Sequence, residues 1–286
     1  MISLKEFFLL FFVTFSLVDS WLWQKTLHLG EESDTFGTIK KYTRGMKSLL
    51  VPYFVRNCIT EVERRGLEEI GLYRVSGSKN NIEKIIKSYR KKKNADLSKF
   101  DDINDITGAL KLFLRSMKGR IIDVDLGKEL LLAIENLSPN LETELKEIIS
   151  KLPTPNIQTL AFIILHLQVV PRIPENEMNI PNLAIVVAPS VFSDIGIAPK
   201  DSIAIVKSRI KIFEKLLEIP SDFWYELLRL NDASEAMEEE VSDTDSIIFE
   251  TYNEDEYEES KKKPSDEASL SSGISSDISD DVSINL

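Results

Sequence analysis

Gly71-Leu-Tyr-Arg-Val-Ser-Gly77 sets a single arginine between two glycines, with a helical pattern on either side. Before it, Pro52 is placed to open a helix at its first position, Tyr53, Val55, Cys58, Ile59 and Val62 supply apolar positions, and Gly66 stops it. After it, Ser76 or Ser78 can cap a helix whose Ile82, Ile85, Ile86 and Tyr89 recur at helical spacing. The unit is helix, glycine-flanked loop, helix. An arginine held in such a loop offers a planar, permanently charged guanidinium suited to phosphoryl oxygens. Most loop arginines are solvated charges, so the meaning of Arg74 depends on the rest of the chain.

The helical period continues outward. Asp102 or Asn104 can start a helix with Ile103, Ile106, Leu110, Phe113, Leu114 and Met117 on one face. Lys111 and Arg115, one turn apart, point together away from that stripe. Leu112 lies on the far side too, which predicts a second element packed there. Leu126–Leu137 and Asn140–Leu152 repeat the amphipathic pattern. Gln158–Val170 is apolar almost all round, which places it at the centre of a bundle, with His166 as a core or capping histidine. Pro181 starts a short segment that Pro189 is expected to end, and Ser202–Ile219 and Ser221–Leu230 supply two last helices. No alternating strand of convincing length appears. The expected fold class is all-α.

The 286 residues, 43% of them hydrophobic, suffice for one domain of about 180–200 residues with extensions. The net charge of −12 averages two different materials. Residues 231–286 hold 18 acidic and 3 basic side chains, a balance of −15, whereas the remainder holds 29 acidic and 32 basic. From Ser260 onward 9 of 27 residues are serine and aromatics are absent. The acidic tail is therefore expected to be disordered.

The N-terminus reads as an address. Phe7–Val18 is a 12-residue stretch with ten apolar residues and no charge, preceded by Lys5 and followed by Ser20 as a cleavage position. Residues 1–20 are expected to be a secretory signal peptide, too short to remain as an anchor, so the mature protein is expected to carry no integral membrane segment. Residues 21–36 read as a linker. Cys58 is the sole cysteine, which excludes an intramolecular disulfide, and with His28 and His166 as the only histidines no metal site is expected. The body is built for a reducing compartment behind a leader that directs it outward.

The order of the pieces resembles the RhoGAP domain, the family that switches off Rho-type small GTPases. The resemblance runs from Val51-Pro-Tyr-Phe-Val through Glu63-Arg-Arg-Gly-Leu, Gly71–Gly77, Asp102-Ile and Leu110-Lys-Leu-Phe-Leu-Arg115. It continues with Leu152-Pro, Thr159-Leu-Ala-Phe, His166-Leu and Met178-Asn-Ile-Pro-Asn-Leu-Ala184, ending near Ala188-Pro-Ser190. It implies a RhoGAP helical bundle over residues 37–230. By position it implies that Arg74 is an arginine finger given to the GTPase in trans. Lys111 and Arg115 are implied as the basic pair that braces the finger loop and meets the GTPase switch region, and Asn182 as an asparagine bonding at the interface. The implied partner is a GTP-bound Rho-family GTPase. GTP and Mg²⁺ belong to that partner, so no cofactor, metal or nucleic acid is expected here, and the protein is expected to be a monomer.

Leu152–Gln168 looks most like the Rac-directed GAPs of the centralspindlin complex, which implies a Rac-type partner; with one cysteine, the zinc domain of those proteins is not expected. Met117-Lys-Gly-Arg120 stands where many relatives have a proline-rich turn. A RhoGAP body behind a secretory leader also resembles the venom RhoGAP virulence proteins of parasitoid wasps. That implies secretion followed by action on GTPases, the cytoskeleton and immune cells in the cytosol of a target cell. Two other readings stay open: a RhoGAP-fold module that sequesters GTPases without stimulating hydrolysis, and a scaffold that recruits partners through its acidic tail.

Overall fold

A computed structural model describes residues 36–92, 95–136, 139–193 and 202–229. The leader, residues 21–35 of the linker and the acidic tail lie outside them. Among the described residues the regular structure is helical, with two isolated bridges, Phe36 to Met117 and Ile122 to Phe192. The helices are α1 Ile39–Tyr42, α2 Tyr53–Arg65, α3 Lys79–Lys92, α4 Ile103–Arg115, α5 Val124–Glu135, α6 Leu141–Ile149, α7 Thr154–Val169, α8 Ile180–Val191, α9 Ser202–Glu218 and α10 Ser221–Leu228.

Their ends follow local chemistry. The Asp102 carboxylate accepts from Asn104 N at 2.8 Å to start α4, Asp123 accepts from Leu126 N at 2.9 Å to start α5, and Asn179 accepts from Asn182 N at 2.9 Å to start α8. Pro52 is the N-cap of α2 rather than its first residue, because its ψ of 132° is extended. Gly66 closes α2, its N–H reaching Val62 O at 2.7 Å. A side chain there would meet Ile103 Cγ1 at 2.3 Å, so the bare Gly66 lets α4 begin against the end of α2.

The middle of α7 is the axis of the core. Every residue from Ile157 to Leu167 is buried, with α1, α2, α9 and α10 packed around it. Its two glutamines serve as internal ties. Gln158 accepts from Leu50 N at 2.8 Å and donates to Leu228 O at 2.9 Å, and Gln168 donates to Leu217 O and Ile219 O at 3.0 and 2.7 Å. Helix α4 is covered on several sides, by α2, α3 and α8, which is why Leu112 is buried opposite the main apolar stripe.

Two further expectations are corrected. Phe36 belongs to the folded body rather than to a linker. It is 3% exposed, stands edge-on to Phe113 with centroids 4.9 Å apart, and donates its N–H to Ser116 O at 2.9 Å. A lone aromatic carries no periodicity, so only the meeting with Phe113, 77 positions on, reveals its place. Pro189 does not end α8, which runs on to Val191. The last carbonyls of α8 find other partners: Arg120 Nη1 donates to Pro189 O and Phe192 O at 2.8 and 2.5 Å, and Ile122 N to Val191 O at 3.1 Å. Arg120 adopts a left-handed φ of +46° just after Gly119 at +80°, so the Met117–Arg120 turn is built to deliver that guanidinium.

Candidate functional site

The segment between α2 and α3 is a loop held from several sides. Arg74 N and Val75 N both donate to Gly71 O, at 2.8 and 2.9 Å, closing a tight turn around the arginine. Gly71 has φ +72°, a conformation that favours glycine, and Tyr73 adopts φ +68° despite its side chain. A left-handed non-glycine residue costs about 1–2 kcal/mol, so other contacts must hold Tyr73 in place.

Those contacts come from four directions. Gly71 N donates to Asn176 O at 2.8 Å. Asn176 is fully buried and its amide is saturated: Nδ2 donates to Leu67 O and Val170 O at 2.8 and 2.7 Å, and Oδ1 accepts from Met178 N at 2.8 Å. On the other flank, Gly77 lies on the peptide between Asn104 and Asp105, where an added Cβ would come within 2.5 Å of backbone atoms. The buried Asp105 carboxylate accepts from Ser78 N at 2.6 Å and Asn81 Nδ2 at 2.8 Å. From α4, Lys111 Nζ donates to Tyr73 O. From α7, His166 Nε2 lies 2.8 Å from Tyr73 Oη, while His166 Nδ1 lies 2.7 Å from Glu63 Oε1 on α2.

Arg74 itself is half-buried, unlike the solvated charge that most loop arginines are. Its guanidinium folds back over the bare Gly71: a Cβ at residue 71 would meet Arg74 Nη2 at 3.2 Å and Nε at 3.3 Å. No side-chain hydrogen bond or ion pair of Arg74 falls among the described residues. Among the described residues the charge is thus positioned by backbone and by shape, with no carboxylate paired to it. Ile70 and Val75 flank it at 59% and 44% exposure, unusually open for large apolar residues.

Lys111 is brought directly to the Arg74 loop. Arg115 stands one turn farther along α4 and is half-buried. Asn182 is half-buried in the first turn of α8, the turn capped by Asn179, and α8 packs on α4. The four residues singled out from the sequence therefore lie on three neighbouring elements, the loop, α4 and α8. Sequence reasoning missed Asp105, Asn176 and Glu63, because each acts on a residue 27 or more positions away. His166 was read as a core or capping residue, and it is a buried, hydrogen-bonded one.

Two other features bear on chemistry. Burial pushes the Cys58 thiol up, with a smaller contribution from Glu61, so it remains protonated and unreactive. Among the described residues no cluster of His, Cys, Asp and Glu could hold a metal ion, and no helix is long and apolar enough to cross a membrane.

Comparison with known proteins agrees with the helical fold. The RhoGAP domain model matches residues 52–195. Over 189 residues the chain is 34% identical to mouse Rac GTPase-activating protein 1, covering 64% of this chain and 30% of that one. Over 145 residues it is 35% identical to mouse Rho GTPase-activating protein 15, covering 49% of this chain and 30% of that one. The match therefore spans less than a third of the length of these curated relatives. Among solved structures, human Rho GTPase activating protein 15 superposes with a TM-score of 0.60 at 28% identity, covering 68% of this chain and 91% of that one. The BH domain of Graf, a GTPase regulator, superposes at 0.54 with 25% identity, covering 60% and 93%. With the RhoGAP domain model matched across half its length and the all-helical architecture shared with these solved structures, the chain belongs to the RhoGAP family.

Proposed function

We propose that this protein is a GTPase-activating protein for Rho-family small GTPases, with Arg74 as an arginine finger supplied in trans. The observation that carries the reading is the placement of Arg74 on a loop clamped by Asn176, Asp105, Lys111 and His166, with no ion pair to it among the described residues. Hydrolysis of GTP on such a GTPase is slow because charge spreading over the γ-phosphoryl oxygens lacks a counter-charge. An arginine delivered in trans raises kcat by about 10³–10⁵-fold, about 4–7 kcal/mol of barrier. A rigid loop contributes because little reorganisation is then needed as the transition state forms. Lys111 braces the loop, while Arg115 and Asn182 meet the GTPase beside it. Water and Mg²⁺ are supplied by the GTPase, so the protein uses no cofactor of its own. The ordered switch loops of the GTP-bound form favour binding of that state.

The partner we propose is Rac-type, supported by the identity to Rac GTPase-activating protein 1. The leader at residues 1–20 supports secretion, and a single buried cysteine suits action in a target cell's cytosol, as in a venom virulence factor. Single-turnover hydrolysis against a panel of Rho-type GTPases tests the activity. Arg74→Ala is expected to lose about 10²-fold or more of the acceleration with the fold intact. Tight binding without acceleration by the unaltered protein would favour the sequestering module instead. Secretion is checked by mass spectrometry of exported protein, which is expected to begin at Trp21; a cytosolic product retaining residues 1–20 would remove the secreted role and leave the GAP assignment standing.

A further inference from the structure

Beneath the Arg74 loop three polar groups from distant parts of the chain, two buried and one half-buried, join in one line. Glu63 from α2 meets His166 from α7, and His166 meets Tyr73, the residue immediately before Arg74. His166 has no exposure and Tyr73 only 2%. A bulky apolar pair would fill this space as well, so the polar line calls for a reason beyond packing.

Its hydrogens run in one direction. Burial pushes the Tyr73 phenol well above its ordinary range, with smaller effects of Cys58 and Glu63, so Tyr73 keeps its proton. The Glu63 carboxylate can only accept, which places a proton on His166 Nδ1; in the neutral imidazole Nε2 is then the acceptor for Tyr73 Oη at 2.8 Å. Nδ1 donates to Glu63 Oε1 at 2.7 Å. Both ring nitrogens of His166 are satisfied by this one arrangement, and the ring is fixed from both ends. Tyr73 is thereby held twice, by its phenol to α7 and by its carbonyl to Lys111 on α4. Both ties act on a residue in the left-handed region, at φ +68°, whose backbone aims the next residue, Arg74.

We propose that Glu63, His166 and Tyr73 form a relay of positioning residues that fixes the aim of Arg74, with the buried Tyr73–His166 hydrogen bond, beyond the bulk of the ring, setting its placement. The inference rests on the GTPase-activating reading above. It assigns no contact with the GTPase to these residues; they act through Arg74.

The test is single-turnover hydrolysis by a GTP-loaded Rac-type GTPase, with the full chain titrated to saturation so that maximal rate and half-saturating concentration are read separately. Tyr73→Phe keeps the ring and removes the donor. It is expected to lower the maximal rate about 10-fold while half-saturation moves less than about 2-fold. In an Arg74→Ala background the same change is expected to cost nothing more, because the relay acts only through the finger. Glu63→Met removes the terminal acceptor and is expected to lower the maximal rate, and Glu63→Gln, which keeps an acceptor, to recover most of it. Thermal unfolding reports the fold of each variant, and if Tyr73→Phe does not fold, the Glu63 pair decides. An undiminished maximal rate in Tyr73→Phe, a further loss in the Arg74→Ala background, or equal rates for the two Glu63 variants overturns the proposal. A wild-type chain that accelerates no Rho-type GTPase removes the underlying reading instead, and the relay's role falls with it.

Discussion

At Gly71, conformation and space make the same demand. The residue has φ +72°, and an added Cβ would meet Val75 Cγ2 at 2.9 Å and the folded-back guanidinium of Arg74 at 3.2 Å. Gly71→Ala is therefore expected to cost stability of about 1–2 kcal/mol from backbone strain, read by urea unfolding. The same methyl displaces Arg74, so the acceleration of GTP hydrolysis is expected to fall about 10- to 100-fold. A variant with unchanged stability and unchanged acceleration would mean that neither the left-handed turn nor the parked guanidinium matters. The contrast with Tyr73 is instructive. It accepts a similar φ because buried contacts to His166 and Lys111 offset the strain, whereas Gly71 needs no such offset.

Among the elements, α4 and α8 carry the remaining site residues, and their N-terminal turns are set by side-chain caps. Asn179 holds the backbone of Asn182 directly, at 2.9 Å. Asn179→Ala is expected to cost about 1 kcal/mol of stability. Because Asn182 lies in the loosened turn, affinity for a GTP-bound Rho-type GTPase is expected to weaken while the maximal hydrolysis rate stays near wild type. Fluorescence titration beside a saturating kinetic assay separates the two effects; a loss confined to the maximal rate would instead tie α8 to finger placement. Helix α4 behaves differently, since its buried Asp105 and its Lys111 both reach the Arg74 loop. That helix supports the loop along its length, while α8 contributes from its end.

For the molecule as a whole, the boundaries of the folded body are testable. Phe36 packs on Phe113 and donates to Ser116 O, while Lys118 N donates back to Phe36 O at 3.2 Å. A protein beginning at Gly37 loses that aromatic anchor. It is expected to be less stable than one beginning at Thr35 by about 3 kcal/mol, a fall in Tm of about 6–12 °C. Removal of residues 231–286 is expected to leave both Tm and hydrolysis in solution unchanged, since that segment lacks core-forming composition. Equal melting of the two N-terminal versions, or an inactive tail-less protein, would redraw the domain at the corresponding end.

The sequence by itself determined the helical character, the central place of Gln158–Val170 and the position of Arg74 in a loop between two helices. These depend on periodicity, caps and glycines, which are local. It also carried enough ordered motifs to indicate the family, and with it Lys111, Arg115 and Asn182. Only the tertiary structure decided what holds the loop. Asn176 reaches Gly71 and Leu67 across more than 100 positions, and Glu63 and His166 are 103 apart. No pattern in sequence links such pairs, because a hydrogen bond across the core depends on how helices pack rather than on spacing along the chain. The same holds for Phe36 and for Arg120, which caps the C-terminal carbonyls of α8. Local rules predicted a stop at that proline; α8 runs two residues past it, and a guanidinium from 69 positions away caps carbonyls at its end.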